Sequence, residues 1–231
     1  MRIGILETGR PPVHLEPGFG RYDAMFGRLL ECDVANYEVA AGHFPERIED
    51  HSAYIVTGSA AGVYEDHDWI PPLKTFLREA KGKAKLVGIC FGHQIMAEAF
   101  GGRVTKSDKG WGIGLHRYDV WEPAPWMDRV DSFAVPVSHQ DQIVEQPPAT
   151  RIVAASPFTS FGVLAYEDQP AISFQCHPEF SHGFAEALIE HRRDRLPDPD
   201  MALETLRQPD DRLLVGGWIR RFIEGSAALG A

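Results

Sequence analysis

The chain has 231 residues, 44% hydrophobic and 24% charged, enough to bury a full core as one domain, or one domain with an appendage. A formal charge of −10, from 33 acidic against 23 basic residues, argues against a nucleic-acid-binding surface. Cys32, Cys90 and Cys176 are too few and too widely spaced for a disulfide framework or zinc cluster, and no stretch reads as a signal peptide or membrane span, so a cytoplasmic protein in a reducing compartment is expected.

Residues 2–6 read as a buried strand, and Tyr22 to Leu30 as a helix with Met25, Phe26, Leu29 and Leu30 on one face. Cys32 to Val39 and Tyr54 to Thr57 are the next strands, the latter ending at Gly58-Ser59-Ala60-Ala61-Gly62. Trp69 to Lys81 is a helix leading into the apolar run from Lys85 to Ile89, and Gln94 to Phe100 suits a further helix. Alternating strands and helices imply right-handed crossovers and a mostly parallel sheet covered on both faces, with ligands beyond the carboxyl ends of its strands. The second half changes character. Gly112–Val120, Phe133–Val144, Arg151–Ala155, Gly162–Tyr166 and Ala171–Cys176 are short strand-like runs suited to antiparallel hairpins. After a helix from Phe184 to His191, the charged, proline-containing stretch Arg192 to Asp211 reads as a polar, exposed excursion, and an amphipathic helix carrying Leu213, Leu214, Trp218, Ile219, Phe222 and Ile223 docks back on the body. The expected division is therefore a main domain over residues 1–190 and a C-terminal excursion and helix over 191–231 packed on it.

Chemistry concentrates at Gly88-Ile89-Cys90-Phe91-Gly92, where a strand meets a helix. Small residues two before and two after Cys90 permit the sharp elbow that presents a nucleophile. The competing reading is a small buried cysteine with no chemical task. A thiol with an ordinary pKa of about 8.5 is only about 3% ionised at neutral pH, and lowering that pKa by two units takes about 2.7 kcal/mol. A helix N-terminus typically supplies only about 0.3–1 kcal/mol, so a second group is needed, usually a histidine held by a carboxylate. His177-Pro178-Glu179 offers that pair, because two-residue spacing in extended chain puts both side chains on one side and turns Cys176 toward the core. His139-Gln140-Asp141 is the rival pair, and a partial metal site at His177 and Glu179 lacks further ligands at suitable spacing.

Together, Gly88-Ile89-Cys90-Phe91-Gly92-His93-Gln94, Ser138-His139-Gln140-Asp141 and Gln175-Cys176-His177-Pro178-Glu179 resemble, in order and over roughly residues 3–190, the class I (triad) glutamine amidotransferases. The arrangement looks most like the glutaminase domain of guanosine monophosphate synthetase and its stand-alone relatives. The resemblance implies a three-layer α/β/α, flavodoxin-like fold with a mostly parallel central sheet and a small antiparallel portion in the second half. It implies Cys90 as nucleophile, His177 as general base and acid, and Glu179 as its orienter. It further implies the amides of Gly58 and Phe91 as oxyanion hole, and Gln94 with the backbone around Ser138, Gln140 and Asp141 holding the amino-acid end of the substrate. Glutamine would be hydrolysed through a γ-glutamyl thioester with no cofactor or metal, and any ammonia-accepting synthetase subunit would be a separate chain. Two alternatives stand beside this: a non-catalytic binding or regulatory subunit, and a hydrolase of γ-glutamyl peptides or conjugates using the same triad. Either is compatible with a homo-oligomer. Two positions depart from the common family pattern: Gly58-Ser59-Ala60 replaces Gly-Pro-Gly, and Gln140 stands where a glycine is frequent.

Overall fold

Strands β1 (Ile3–Glu7), β2 (Val34–Glu38), β3 (Ala53–Val56) and β4 (Lys85–Ile89) build the first half of a computed structural model that describes residues 3–226. Between them run α1 (Glu16–Phe19), α2 (Tyr22–Leu30) and α3 (Ile70–Glu79), and α4 (Phe91–Ala99) follows β4. The second half contributes β5 (Arg103–Lys106), β6 (Gly112–Val120), β7 (Ser132–His139), β8 (Asp141–Glu145), β9 (Thr150–Ala155), β10 (Val163–Tyr166) and β11 (Ala171–Phe174). Helices α5 (His182–His191), α6 (Pro199–Leu206) and α7 (Arg212–Glu224) complete it.

The main sheet has the order β2-β1-β3-β4-β11-β10-β9-β6-β7, parallel from β2 through β11 and antiparallel beyond. Strands β10, β9, β6 and β7 thus extend the parallel sheet and do not form a separate layer. Every residue of β1 and β3 is buried, as near-continuous apolar runs in a doubly covered parallel sheet require. Strand alternation then sorts the side chains to two faces. Ile3, Ile5, Ile55, Val87 and Ile89 pack on one face with Phe26 of α2 and Trp218 and Ile219 of α7. Leu6, Tyr54, Val56 and Leu86 pack on the other with Leu73 and Leu77 of α3 and Ile95 and Met96 of α4. The result is the expected three-layer, flavodoxin-like arrangement with added antiparallel strands.

Two expectations change. The run Phe133–Val144 is not one strand: it breaks at Gln140, and β8 leaves the main sheet to pair antiparallel with β5, a strand absent from the sequence-based expectation. Nor is Arg192–Asp211 simply an exposed excursion. Asp198 caps α6 by accepting from the Met201 amide, and Leu196, Ala202 and Leu206 are buried beside Phe184 and Leu188 of α5. Its charge density is real, but its few apolar residues are spaced to face inward. No described helix is long and apolar enough to cross a membrane.

Candidate active site

Cys90 is the residue between β4 and α4, with φ 53° and ψ −101°. A positive φ in a residue with a Cβ costs of order 1–3 kcal/mol and persists only where surrounding structure enforces it. The enforcement comes from the two flanking glycines. A Cβ on Gly92 would lie 2.2 Å from the Val56 carbonyl oxygen, and one on Gly88 would lie 2.5 Å from the Gly92 oxygen. The Gly92 amide donates to the Thr57 carbonyl at 3.2 Å, and the Cys90 amide donates to that of Phe174 at 2.8 Å, so the elbow is pinned to β3 on one side and β11 on the other. The helix begins at Phe91, three residues before the expected start, which leaves the Phe91 amide at the first turn without an intrahelical acceptor.

His177 and Glu179 follow β11. Their pairing is real, Nδ1 to Oε1 at 2.8 Å, but its geometric origin differs from the expectation. The segment is a turn rather than extended chain: the Phe180 amide donates back to the His177 carbonyl at 3.2 Å. The imidazole stacks on Phe180 with ring centroids 3.9 Å apart, and Phe180 meets Phe184 edge-on, so the ring is held on one face by α5. Cys176, by contrast, is in the main core, where burial pushes its thiol pKa up. The rival pair dissolves. His139 Nδ1 meets the backbone carbonyl of Asp141 at 3.1 Å, and the Asp141 carboxylate instead accepts from the Tyr64 hydroxyl at 3.1 Å.

Electrostatics separate the buried histidines. Burial opposes the charge on His177, but the facing Cys90 and Glu179 outweigh it and raise its pKa to about 10. Burial lowers His93 and His139 to about 3 each. In the unfolded chain these two protonate near 6.5, so below that pH the unfolded state binds more protons and stability falls as pH drops. The limit is about 1.4 kcal/mol per pH unit for each histidine, down to their folded values. The contribution of His177 has the opposite sign: it is fully present below about 6.5 and is lost as pH rises through about 10. Thermal unfolding between pH 7 and 4.5 should therefore show a falling midpoint, with a shallower fall in His93→Gln. Equal slopes in the two proteins would contradict the neutral, buried state of His93.

Gly58, at the end of β3, closes the constellation. A Cβ there would fall 2.9 Å from His177 Cε1 and 3.8 Å from the Cys90 Cβ, so its backbone lies directly beside thiol and imidazole. The turn that follows is tied down by hydroxyls. Thr8 Oγ1 donates to the carbonyls of Thr57 (2.9 Å) and Gly58 (3.3 Å), while Ser59 Oγ donates to the Thr8 carbonyl at 2.8 Å and accepts from the Ala61 amide at 3.2 Å. Thr8, Thr57 and Ser59 hold this turn, a task that the sequence motifs assign to none of them. Hydroxyl residues just past two adjacent parallel strands are the available signal.

A cleft of about 300 Å³ opens above the thiol, lined by Gln94, Ser138, Gln140 and Asp141 as well as by Arg192 and Arg195. Gln94 Nε2 donates to the Asp141 carbonyl (2.8 Å) and to Gln175 Oε1 (3.2 Å), clamping β8 and the β11 end to the elbow helix. The Ser138 carbonyl lies 4.0 Å from Cys90 Sγ, and the Ser138 hydroxyl accepts from Arg192 Nη1 at 2.9 Å. Arg192 and Arg195 fall in the charge-dense run expected to be solvated, where nothing in the sequence separates them from Arg193. Among the described residues no group of three or more His, Cys, Asp or Glu side chains is arranged to hold a metal ion.

Comparison with known proteins places the chain in a family and supports its fold. Residues 28–192 match the family model described as glutamine amidotransferase class-I. Gamma-glutamyl peptidase 2 of Arabidopsis thaliana is 32% identical over 161 residues, covering 67% of this chain and 63% of that protein, so the match spans less than two thirds of that relative's length. A GMP synthase (glutamine-hydrolyzing) subunit from Ignicoccus hospitalis is 31% identical over 171 residues, covering 74% of this chain and 89% of that protein. A crystal structure of a glutamine amidotransferase from Thermotoga maritima superposes with a TM-score of 0.79 at 22% identity over 97% of this chain and 98% of that one, which supports the fold. With the family model matching well over half of its length, the chain belongs to the class-I glutamine amidotransferase family.

Proposed function

We propose that the chain hydrolyses the side-chain amide of a γ-glutamyl substrate through a thioester on Cys90, with glutamine, giving glutamate and ammonia, as the simplest case. The observation that carries this reading is geometric: a buried imidazole lies between the Glu179 carboxylate, 2.8 Å from its Nδ1, and Cys90, whose thiol lines an open cleft, and both neighbours favour its protonated form. A protonated His177 is the counter-ion a thiolate needs. The thiolate attacks the γ-carbonyl carbon, and the amides of Gly58 and Phe91 receive the oxyanion. As the C–N bond breaks, the imidazolium gives its proton to the departing amine. Water then attacks the thioester and gives a proton to His177, and the C–S bond breaks to restore the thiolate–imidazolium pair. Gln94, Ser138, Gln140 and Asp141 border the acyl end of the substrate. The test is ammonia release from glutamine by wild type and Cys90→Ala; equal, measurable rates in both would sink the reading.

A second reading, cleavage of γ-glutamyl peptides, shares every step except the identity of the leaving amine. It is favoured by the extension of the cleft to Arg192 and Arg195 and by similarity to a γ-glutamyl peptidase. Under the glutamine reading, similarity to proteins named as GMP synthase subunits supports a separate synthetase chain that takes the ammonia. The ratio of kcat/KM for glutamine to that for a γ-glutamyl dipeptide decides between the two.

Ser59 has a place in this mechanism as a positioning residue. Its hydroxyl braces the turn that orients the Gly58 peptide, bonding the Thr8 carbonyl and the Ala61 amide. Losing an oxyanion donor outright costs about 2.7–4 kcal/mol, so a loosened donor in Ser59→Ala should lower kcat by about tenfold, with little change in KM and a partial rescue by Ser59→Thr. A parallel loss in kcat and stability with no rescue by threonine would reduce Ser59 to a structural role.

A further inference from the structure

The arginines of the α5 C-terminal turn divide sharply. Arg193 is paired with Glu190 at 2.7 Å and Asp200 at 2.9 Å, away from the cleft. Arg192 and Arg195, on either side of it, line the cleft and have no carboxylate partner within 4.0 Å among the described residues. In a chain with ten more acidic than basic residues, two cations left unpaired at the same opening call for a reason. Favourable interaction with the helix C-terminus explains a basic residue in the Arg192 position. It does not explain why Arg192 reaches across to the Ser138 hydroxyl, one residue's backbone away from the Cys90 thiol, nor does it reach Arg195. The segment is also built to stay in place, since Leu196 is buried against the α5–α6 cluster.

The other charges in the cleft lie on different elements. Asp141 and Lys106 are cross-strand neighbours in the β5–β8 pair, Asp141 accepts from Tyr64, and Glu65 pairs with His67 at 2.9 Å. A wall carrying the carboxylates of Glu65 and Asp141, with Lys106 beside them, therefore faces the cleft from the Tyr64 loop and the β5–β8 pair, and a basic one from the turn after α5. In a γ-glutamyl group the α-ammonium and α-carboxylate share one carbon. If the first wall takes the ammonium, the glutamyl carboxylate stays beside that wall, within reach of Lys106. With the glutamyl carboxylate held there, the arginine wall is left to a carboxylate from the far side of the scissile amide, and Arg192, through Ser138, stands where the two sides meet.

We infer that Arg192 and Arg195 form a recognition site for the free carboxylate of an amino acid leaving from the γ-glutamyl group. This rests on the reading of Cys90 as a γ-glutamyl nucleophile and specifies the leaving group: an α-amino acid or short peptide ending in a free carboxylate, to which guanidinium groups offer forked, charge-assisted donors.

The experiment measures kcat/KM for γ-glutamylglycine and for its C-terminal carboxamide in wild type, Arg192→Gln, Arg195→Gln and Arg192→Lys. Hydrogen bonds to a charged group are worth about 1.5–3 kcal/mol, so wild type should prefer the free acid by about 10- to 100-fold. That ratio should fall toward one in both glutamine variants and return in part with lysine at position 192. A second arm compares glutamine with its α-carboxamide in the same proteins. Should the arginine variants erase discrimination there and leave the dipeptide ratio intact, the site serves the glutamyl carboxylate, and the leaving-group assignment is overturned. A wild-type ratio near one, or a ratio unmoved by either variant, also overturns it while leaving the Cys90 reading standing. Absence of any Cys90-dependent cleavage of γ-glutamyl amides overturns both.

Discussion

Cys90→Ala is expected to lose roughly a million-fold of kcat on any γ-glutamyl substrate, the size of loss seen when the nucleophile is removed from a working triad. The fold should survive. Alanine retains the Cβ, and the elbow is held by backbone hydrogen bonds to Phe174 and Thr57 that the thiol does not enter. The informative comparison is Cys90→Gly. The strained φ of 53° is one that glycine adopts freely, and relief of about 1–3 kcal/mol exceeds the roughly 0.4–1 kcal/mol lost to greater freedom of the unfolded chain. Cys90→Gly should therefore be as inactive as the alanine variant but melt at a higher temperature. A lower midpoint for glycine than for alanine would show that the elbow stores no strain.

The largest effect on stability is expected at Gly92. An alanine methyl would sit 2.2 Å from the Val56 carbonyl oxygen, a backbone atom at the buried end of β3 that has no rotamer by which to escape. Overpacking of a core typically costs about 1–3 kcal/mol, and a collision with backbone belongs at or above the upper end. Against a total stability of about 5–15 kcal/mol, Gly92→Ala should lower the melting midpoint by on the order of 10 °C and lose activity with it. Gly18→Ala is the control, since nothing lies within 4 Å of its Cβ position; its midpoint should move by no more than a degree or two. Similar shifts for both would contradict the close approach of α4 to β3. The same contact explains how the elbow works: Gly92 lets the helix settle onto β3, and that brings Cys90 beside Gly58.

How much of this could be read in advance differs from residue to residue. The strands β1, β3 and β4 are legible because a doubly covered parallel strand is a short apolar run, and its two faces separate by simple alternation. The elbow is legible because its backbone demands glycines at fixed offsets, and His177 and Glu179 because they are close in sequence, although a turn and not an extended segment brings them together. What sequence conceals is what arrives from a distance. Thr8 and Ser59 meet across 51 residues, and Arg192 reaches Ser138 across 54. Each belongs to a residue type with many surface copies. Strand β5 is missed for a related reason: of its four residues only Val104 is buried, and their pattern becomes that of a strand only when β8 is placed beside them.

The proposed chemistry depends first on Cys90 being the group that attacks a γ-glutamyl carbonyl. Peptide mapping after treatment with an electrophilic glutamine analogue, alongside residual activity, tests this directly, because Cys32 and Cys176 serve as internal controls. Cys32 is half-buried beside α7, and Cys176 is sealed in the core. The predicted result is one modified residue, Cys90, with activity lost in step with its labelling and both slowed when glutamine is present. Inactivation accompanied by modification at Cys32 or elsewhere, or full labelling of Cys90 with glutamine and γ-glutamyl hydrolysis undiminished, would contradict it.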